Sequence, residues 1–226
     1  MNHDVTAVIP ALNEALTIEE VVRGCALHAG TVVVLDGRSV DDTRERAERA
    51  GAQVFMASRP GKGAAIREIA PHLTTPFVVF IDADGSHVID DIPSLLAPLR
   101  EGWADHVQAS RLIGGSSELH GSFDEFFRLA GSAFVTACIN KRFSVRLSES
   151  QNGFRAMTTA LLRQLDLQEA ITTIEQEMVI KTLCRGARLL EVPSHEHKRR
   201  HGRSSIRLGK VWFRYGYSLV KYLFCW

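Results

Sequence analysis

The run Phe77-Val-Val-Phe-Ile81, driving straight into Asp82-Ala-Asp84-Gly85, constrains this chain more than any other stretch. Consecutive β-formers without polar alternation describe a strand buried on both faces, as in a parallel sheet covered by helices. In such sheets ligands sit beyond the carboxyl ends of the strands. Asp82 and Asp84 fall there, and strand geometry throws residues i and i+2 to the same side. Two carboxylates on one side form a hard oxygen site suited to Mg2+ or Mn2+, and an ion so held would bind a diphosphate. A strand end turned by Asp and Gly is the plainer reading of the same residues.

The surrounding pattern supports a parallel sheet. Residues 5–9 read as a strand. Residues 15–28 carry Leu16, Val21, Val22 and Cys25 at helical spacing, closed by Gly30. Strands follow at 31–35 and 53–56, with solvent-facing charges of alternating sign over 41–50 and a helix over 62–72. Strand and helix alternate, which predicts βαβ units. Beyond Asp84, acids and Pro93 open a helix over 91–99. Strands are expected at 105–109 and 187–192, and helices at 123–140 and 173–185. The expected architecture is one α/β domain over 1–206, a mostly parallel central sheet flanked by helices, with a tail over 207–226.

Bulk composition narrows the function. The chain has 226 residues, 45% hydrophobic and 23% charged, ordinary for a soluble domain with one substantial core. A net charge of +1 argues against a nucleic-acid partner. Charge is nonetheless concentrated: Lys198, Arg199, Arg200, Arg203, Arg207, Lys210 and Arg214 follow Glu196 with no further acid. Such a patch favours a phosphate or an anionic membrane. Cys25, Cys138, Cys184 and Cys225 show neither CxxC nor zinc spacing and are expected to be reduced. The first residues do not read as a signal peptide, and no run of 18 apolar residues exists to span a bilayer. A cytoplasmic setting is expected.

Several groups should converge on the edge that carries Asp82. Asn13 and Glu14 follow the first strand and Asp36 ends the second. These could hold a base and ribose, or merely cap turns. Gly61-Lys62-Gly63 opens a helix where backbone and charge could approach a phosphate, although it lacks Walker spacing. Arg111, after the strand at 105–109, could neutralise a phosphate or pair with an acid. The polar loop Ser148-Glu149-Ser150-Gln151-Asn152-Gly153-Phe154-Arg155 offers Glu149, Gln151 and Arg155. His195, His197 and His201 are more readily solvated or anion-binding than a transition-metal site.

In order, these motifs resemble the family 2 glycosyltransferases of GT-A fold, and within them the dolichol-phosphate or polyprenyl-phosphate mannose (hexose) synthases. The likeness is collinear over about residues 5 to 206. It rests on Val8-Ile-Pro-Ala-Leu-Asn-Glu14, Asp36-Gly-Arg-Ser-Val-Asp-Asp-Thr43, Gly61-Lys-Gly63, Asp82-Ala-Asp84, Ser110-Arg-Leu-Ile-Gly-Gly115, Ser150-Gln-Asn-Gly-Phe-Arg155 and Arg200-His-Gly-Arg-Ser-Ser205. The resemblance implies that Pro10, Asn13, Glu14, Asp36 and Lys62 bind the nucleotide. Asp82 and Asp84 would hold its diphosphate through Mg2+ or Mn2+, and Arg200 with Ser205 would close over the donor. Arg111, Arg128 and Arg203 would dock an acceptor phosphate, with Asp84, Glu149 and Arg111 at the reacting centre. Three positions depart from the family: Gly37 replaces a carboxylate, Ser86 replaces a Gln after the second Asp, and Glu149 replaces a shorter acid.

The implied reaction is inverting transfer of a hexose, mannose from GDP-mannose favoured, to a polyprenyl or dolichyl phosphate. The alternatives are a UDP-sugar donor or a hydroxyl acceptor, and more remotely a nucleotidylyltransferase or a non-catalytic membrane-bound module. A lipid phosphate needs no base, because its second pKa of about 6 leaves it mostly dianionic at neutral pH. The tail combines Arg207, Lys210, Arg214 and Lys221 with Trp212, Phe213, Tyr215, Tyr217, Tyr222, Phe224 and Trp226. That mixture suits a helix lying in lipid headgroups, so peripheral attachment at the cytosolic membrane face is expected. Packing on the core or against a second copy in a homo-oligomer is the alternative.

Overall fold

A computed structural model describes residues 2–117, 123–200 and 208–224, except for the side chains of 123–128 and 208–212. The elements run β1 (Val5–Ala11), α1 (Ile18–Ala26), β2 (Thr31–Asp36), α2 (Thr43–Arg49), β3 (Gln53–Met56), α3 (Lys62–Ile69), β4 (Phe77–Phe80) and α4 (Ile92–Arg100). They continue with β5 (His106–Ser110), α5 (Arg111–Gly114), α6 (Phe123–Phe143), β6 (Arg155–Thr158), α7 (Thr159–Gln164), α8 (Ile174–Cys184), β7 (Leu189–Pro193) and α9 (Leu208–Phe224).

The seven strands form one sheet in the order β3-β2-β1-β4-β6-β5-β7. β1, β2, β3 and β4 are mutually parallel, as alternation of apolar strands with helices demands. β6 is antiparallel to both β4 and β5, and β5 is parallel to β7. Strand order reverses direction around β1, between β2 and β4, which opens a crevice at their carboxyl ends. Two reversals across β6 bring the end of β5 back to that edge, and the start of β6 joins it.

Each face of the sheet has its own core. Ile9, Val34, Val79 and Ile81 pack with Val21, Val22, Leu95 and Leu96 of α1 and α4. Val8, Leu35 and Phe80 pack on the other side with Ile66, Ile69, Leu162 and Met178. A third cluster joins Val135 and Ile139 of α6 to Val179 and Ile180 of α8 and to Leu219, Tyr222 and Leu223 of α9. The tail helix is therefore packed on the domain along one face.

Three sequence expectations change. The helix expected over 62–72 ends at Ile69 and continues as a 3-10 turn through Ala70–His72, because Pro71 has no N–H for an α-helical bond. β6 and α7 lie where no element was expected; Thr158 caps α7 by accepting from the Leu161 amide at 3.2 Å. β4 ends at Phe80, so Asp82 and Asp84 stand in the following turn rather than on a strand. Their side chains consequently find different surroundings. Among the described residues, no helix is long and apolar enough to cross a membrane.

Candidate active site

The carboxyl edge of β1, β2, β4, β5 and β7 gathers most of the expected residues. Glu14 lies beyond β1 and Asp36 ends β2. Asp82 and Asp84 follow β4, Arg111 follows β5, and the 194–200 segment follows β7.

Asp82 is bonded by Lys62 on one side and faces His87 on the other. Its Oδ1 lies 2.5 Å from Nζ of Lys62, which also bonds Glu175 Oε1 at 2.6 Å. Its Oδ2 lies 3.6 Å from Nε2 of buried His87, whose ring packs on Phe154 with centroids 5.2 Å apart. Burial alone would favour a neutral Asp82, but Lys62 and His87 hold the carboxyl well below its usual range. Burial also disfavours the charged forms of Lys62 and His87. For Lys62 the Asp82 and Glu175 charges outweigh it and raise its pKa. For His87 the nearby Asp82 carboxylate does the same. Asp82 still exposes 33% of its side chain. Gly153 explains how the loop before β6 passes so close: a Cβ there would meet Asp82 Oδ2 at 2.5 Å and Lys62 Nζ at 2.9 Å.

Asp84 has different partners. Ser86 donates to Oδ1 from its amide at 3.0 Å and its hydroxyl at 2.7 Å, so the residue standing in for the family's Gln is bonded to Asp84 itself. The Arg199 guanidinium lies 3.0 Å from Oδ2 and reaches Glu14 Oε1 at 2.8 Å. One cation thus bridges the acids after β1 and β4. Burial lifts the Glu14 carboxyl above its usual range against the pull of Arg199.

Other expected residues are engaged in holding loops. Pro10 is a half-buried residue of β1 paired with Leu35. Asp36 is buried and accepts from the Ser39 amide at 3.2 Å. Asn13, at φ 57°, accepts from the Val40 amide at 2.9 Å. Both match the turn-capping reading. Arg200 pairs with exposed Glu20 of α1 at 2.7 Å, leaving its neighbour Arg199 at the carboxylates. Arg203, Ser205 and His201 lie outside the described residues, as does the side chain of Arg128. His195 bonds Ser117 Oγ at 2.8 Å, and its ring lies tilted against that of His197 with centroids 4.7 Å apart.

Arg111 spans two acids, Glu149 Oε1 at 3.0 Å and Glu196 Oε2 at 2.6 Å. Glu149 is 1% exposed and also accepts from the Arg111 amide at 3.0 Å. Burial raises its pKa against the pull of Arg111. Glu191 fixes this loop by accepting from the amides of Ser148 at 2.7 Å and Glu149 at 3.1 Å. Gln151, half buried, sits in the same loop. Arg155 is not a surface ligand group: fully buried, it donates to the carbonyls of Asn152 and, at 3.0 Å, Glu175. Burial lowers its pKa, countered by the Glu175, Glu149 and Asp82 charges.

Glu175, His87, Glu196 and Arg199 are the site groups that sequence reasoning did not single out. Glu175 is one of two acids in the first turn of α8, where acids are commonplace. His87 stood at the end of the most informative stretch, and Arg199 was submerged in a basic run.

Comparison with known proteins agrees with the geometry. The model of the family "Glycosyl transferase family 2" matches residues 6–169. The glycosyltransferase AglJ of Haloferax volcanii is 31% identical over 223 residues, covering 96% of this chain and 72% of AglJ. The low-salt glycan biosynthesis hexosyltransferase Agl6 of the same organism is 27% identical over 86% of this chain, but the match spans only 48% of Agl6. Among solved structures, glucosyl-3-phosphoglycerate synthase from Mycobacterium tuberculosis, in complex with Mn2+, UDP-glucose and phosphoglyceric acid, shares the fold. Its TM-score is 0.75 at 24% identity, covering 97% of this chain and 79% of that one. With its seven-stranded GT-A sheet and its acids gathered at the switch point, the chain belongs to glycosyl transferase family 2 and is a glycosyltransferase working from a nucleotide-sugar donor.

Proposed function

We propose that the chain catalyses inverting transfer of a hexose from a nucleoside-diphosphate sugar to a polyprenyl phosphate, aided by Mg2+ or Mn2+. GDP-mannose is the first donor to test. UDP-glucose is the second, since the mycobacterial neighbour binds it. The observation that carries this reading is the Arg199 bridge between Glu14 and Asp84. There a cation spans two acids at the switch point, and it would exchange their carboxylates for the phosphate oxygens of a donor.

The acids present fit a divalent ion of this kind. Among the described residues no three His, Cys, Asp or Glu side chains gather into a cage. One or two carboxylates completed by substrate phosphates and water is how Mg2+ is commonly held. Asp84, with Asp82 beside it, would hold the ion. When bound, such an ion acts as a Lewis acid on the departing diphosphate. Arg199 would follow the same developing charge from the rim. Glu14 and Asp36 would line the nucleoside end of the crevice. A phosphate acceptor attacks without a base, so Glu149 then orients Arg111 rather than removing a proton.

The outer face of α9 supports a lipid acceptor. Phe213, Tyr217, Val220 and Phe224 recur at helical spacing, each at least 60% exposed, beside Arg214 and Lys221. An anionic bilayer surface suits that stripe, which would set the site near a lipid phosphate.

Labelled nucleotide sugars incubated with Mn2+ and polyprenyl phosphate should yield label in the organic phase. No transfer from either donor overturns the reading. Arg111 favours a second acceptor class, a hydroxyl, because it is bridged by two acids where an acceptor phosphate would want a cation. Glu149→Gln separates the two: it slows transfer to a phosphate but abolishes transfer to a hydroxyl, which needs the carboxylate as base.

A further inference from the structure

Lys62 invites assignment as a ligand of the donor phosphates, but its geometry is that of a residue acting through another. It opens α3, where Gly61 at φ 113° turns the chain. Its ammonium is committed to two carboxylates, Asp82 at 2.5 Å and Glu175 at 2.6 Å, and only 14% of its side chain is exposed. Reaching a phosphate would strand both acids in a poorly hydrated place. The backbone is built to keep it there. A Cβ on Gly61 would meet the Ala170 carbonyl oxygen at 2.1 Å, and one on Gly63 the Glu169 oxygen at 2.5 Å. The Ala64 amide donates to Ala170 at 3.1 Å. The start of α3 is thus seated on the segment leading into α8, which supplies Glu175. The segment is itself braced. Thr173 donates to Glu169 at 2.6 Å, and Tyr215 of α9 donates to Thr172 at 3.0 Å. Arg155 ties the Glu175 carbonyl to the loop that carries Gly153.

We infer that Lys62 and Glu175 form a positioning pair for Asp82: Glu175 holds the ammonium, and the ammonium fixes one Asp82 oxygen so that the carboxylate presents its remaining edge to the donor. This inference rests on the donor site described above. In this arrangement Asp82 is the group that meets the ligand, and Lys62 and Glu175 act through it.

A double-mutant cycle on donor affinity tests it. Binding of UDP and of GDP in the presence of Mn2+ is measured by calorimetry for the wild-type chain, Asp82→Asn, Lys62→Met and the double variant. Each single change should weaken binding about tenfold, and the double variant should bind within about twofold of the weaker single, because the two residues act as a unit. If Lys62 met the phosphates itself, the losses would multiply to about a hundredfold, which overturns the inference. Glu175→Gln combined with Asp82→Asn repeats the cycle with a milder change, should Lys62→Met fail to fold. Glu175→Gln alone should weaken binding a fewfold, and binding equal to wild type would remove Glu175 from the pair. A wild-type chain that binds neither nucleotide overturns the donor site and this inference together. Binding with multiplicative losses overturns only the positioning.

Discussion

The two halves of the sheet solve different problems. From β3 to β4 the interior is mostly apolar, with Thr6 and Asp36 its buried polar groups. Val5, Val8, Ile9, Val34, Val78 and Val79 are buried and ask only for packing. From β6 to β7 the interior carries charge and amide groups: Arg155, Gln108, His106, Glu149 and Glu175 are all buried. The first half supplies a floor whose strand ends point acids at the crevice. The second half spends buried hydrogen bonds to shape the loops that meet those acids. The halves meet along the antiparallel β4–β6 ladder, whose last step pairs Phe80 of β4 with Arg155 of β6. Stability in the first half should follow volume, whereas in the second it should follow charge and hydrogen bonding and be inseparable from activity.

That step is the place to break the comparison. Phe80→Ala and Arg155→Met should each cost about 3–5 kcal/mol of unfolding free energy in urea, one by a cavity and the other by stranding carbonyls and the Glu175, Glu149 and Asp82 charges. Activity should separate them. Well below its melting temperature the Phe80 variant keeps most of its turnover, because only packing is lost. The Arg155 variant loses turnover even where folded, because Asn152 and Glu175 are released. Equal residual activities would erase the distinction between the halves.

Gly153→Ala sharpens it next. The added methyl meets Asp82 and Lys62 rather than a core wall. Turnover should fall by about a hundredfold, equivalent to ~2.7 kcal/mol, while the melting temperature moves by only a few degrees. A loss of stability without loss of turnover would mean that the loop yields and Asp82 does not.

The same contrast explains what could be read from the residues. Alternating apolar strands and amphipathic helices spell out β1 to β4, and the acids at their ends follow from topology. β6 escaped because Arg155-Ala-Met-Thr158 begins on a charge and is short, which periodicity reads as loop. It runs antiparallel after the long excursion through α6, so no βαβ rhythm announces it. The acids of β1, β2 and β4 were legible as a set, yet the partners that orient them were not. Glu175 is more than ninety residues from Asp82, and nothing local distinguishes it from Glu177, which instead accepts the amides of Gln168 and Glu169 at 2.8 Å. Which member of a basic run meets the crevice is likewise fixed by the path of the chain, which gives the place to Arg199 rather than Arg200.

His106 gives the second half a pH signature inside the sheet itself. It is fully buried, its Nδ1 lies 3.0 Å from Thr182 Oγ1, and burial, with the Arg155 charge nearby, holds its pKa well below the usual value. Below about pH 6.5 the unfolded chain takes up a proton here that the folded chain refuses. Stability is therefore full above that pH and falls beneath it, by up to about 1.4 kcal/mol per pH unit from this group. His106→Gln keeps a hydrogen-bonding side chain and should flatten that part of the profile between pH 6.5 and 5. An unchanged slope would assign the acid sensitivity to other groups.

The smallest expected effect on stability lies on α9, which repeats the contrast within one helix. Its inner face carries Leu219, Tyr222 and Leu223, each under 10% exposed. There Lys181 lies 5.2 Å from the Tyr222 ring centroid, and the Tyr222 hydroxyl lies so close to Glu169 and Glu177 that burial and their charges raise its pKa. Leu219→Ala should cost about 2–4 kcal/mol. The outer face touches no core, so Tyr217→Ser with Phe224→Ser should change unfolding free energy by less than about 0.5 kcal/mol each. The same pair should nonetheless reduce co-sedimentation with vesicles of anionic phospholipid, because the lost apolar area is what a bilayer would take up. If the outer pair instead destabilises the chain as much as Leu219→Ala does, that face is covered within the fold or by a second copy. Concentration-dependent melting of the wild-type chain would then identify the second copy.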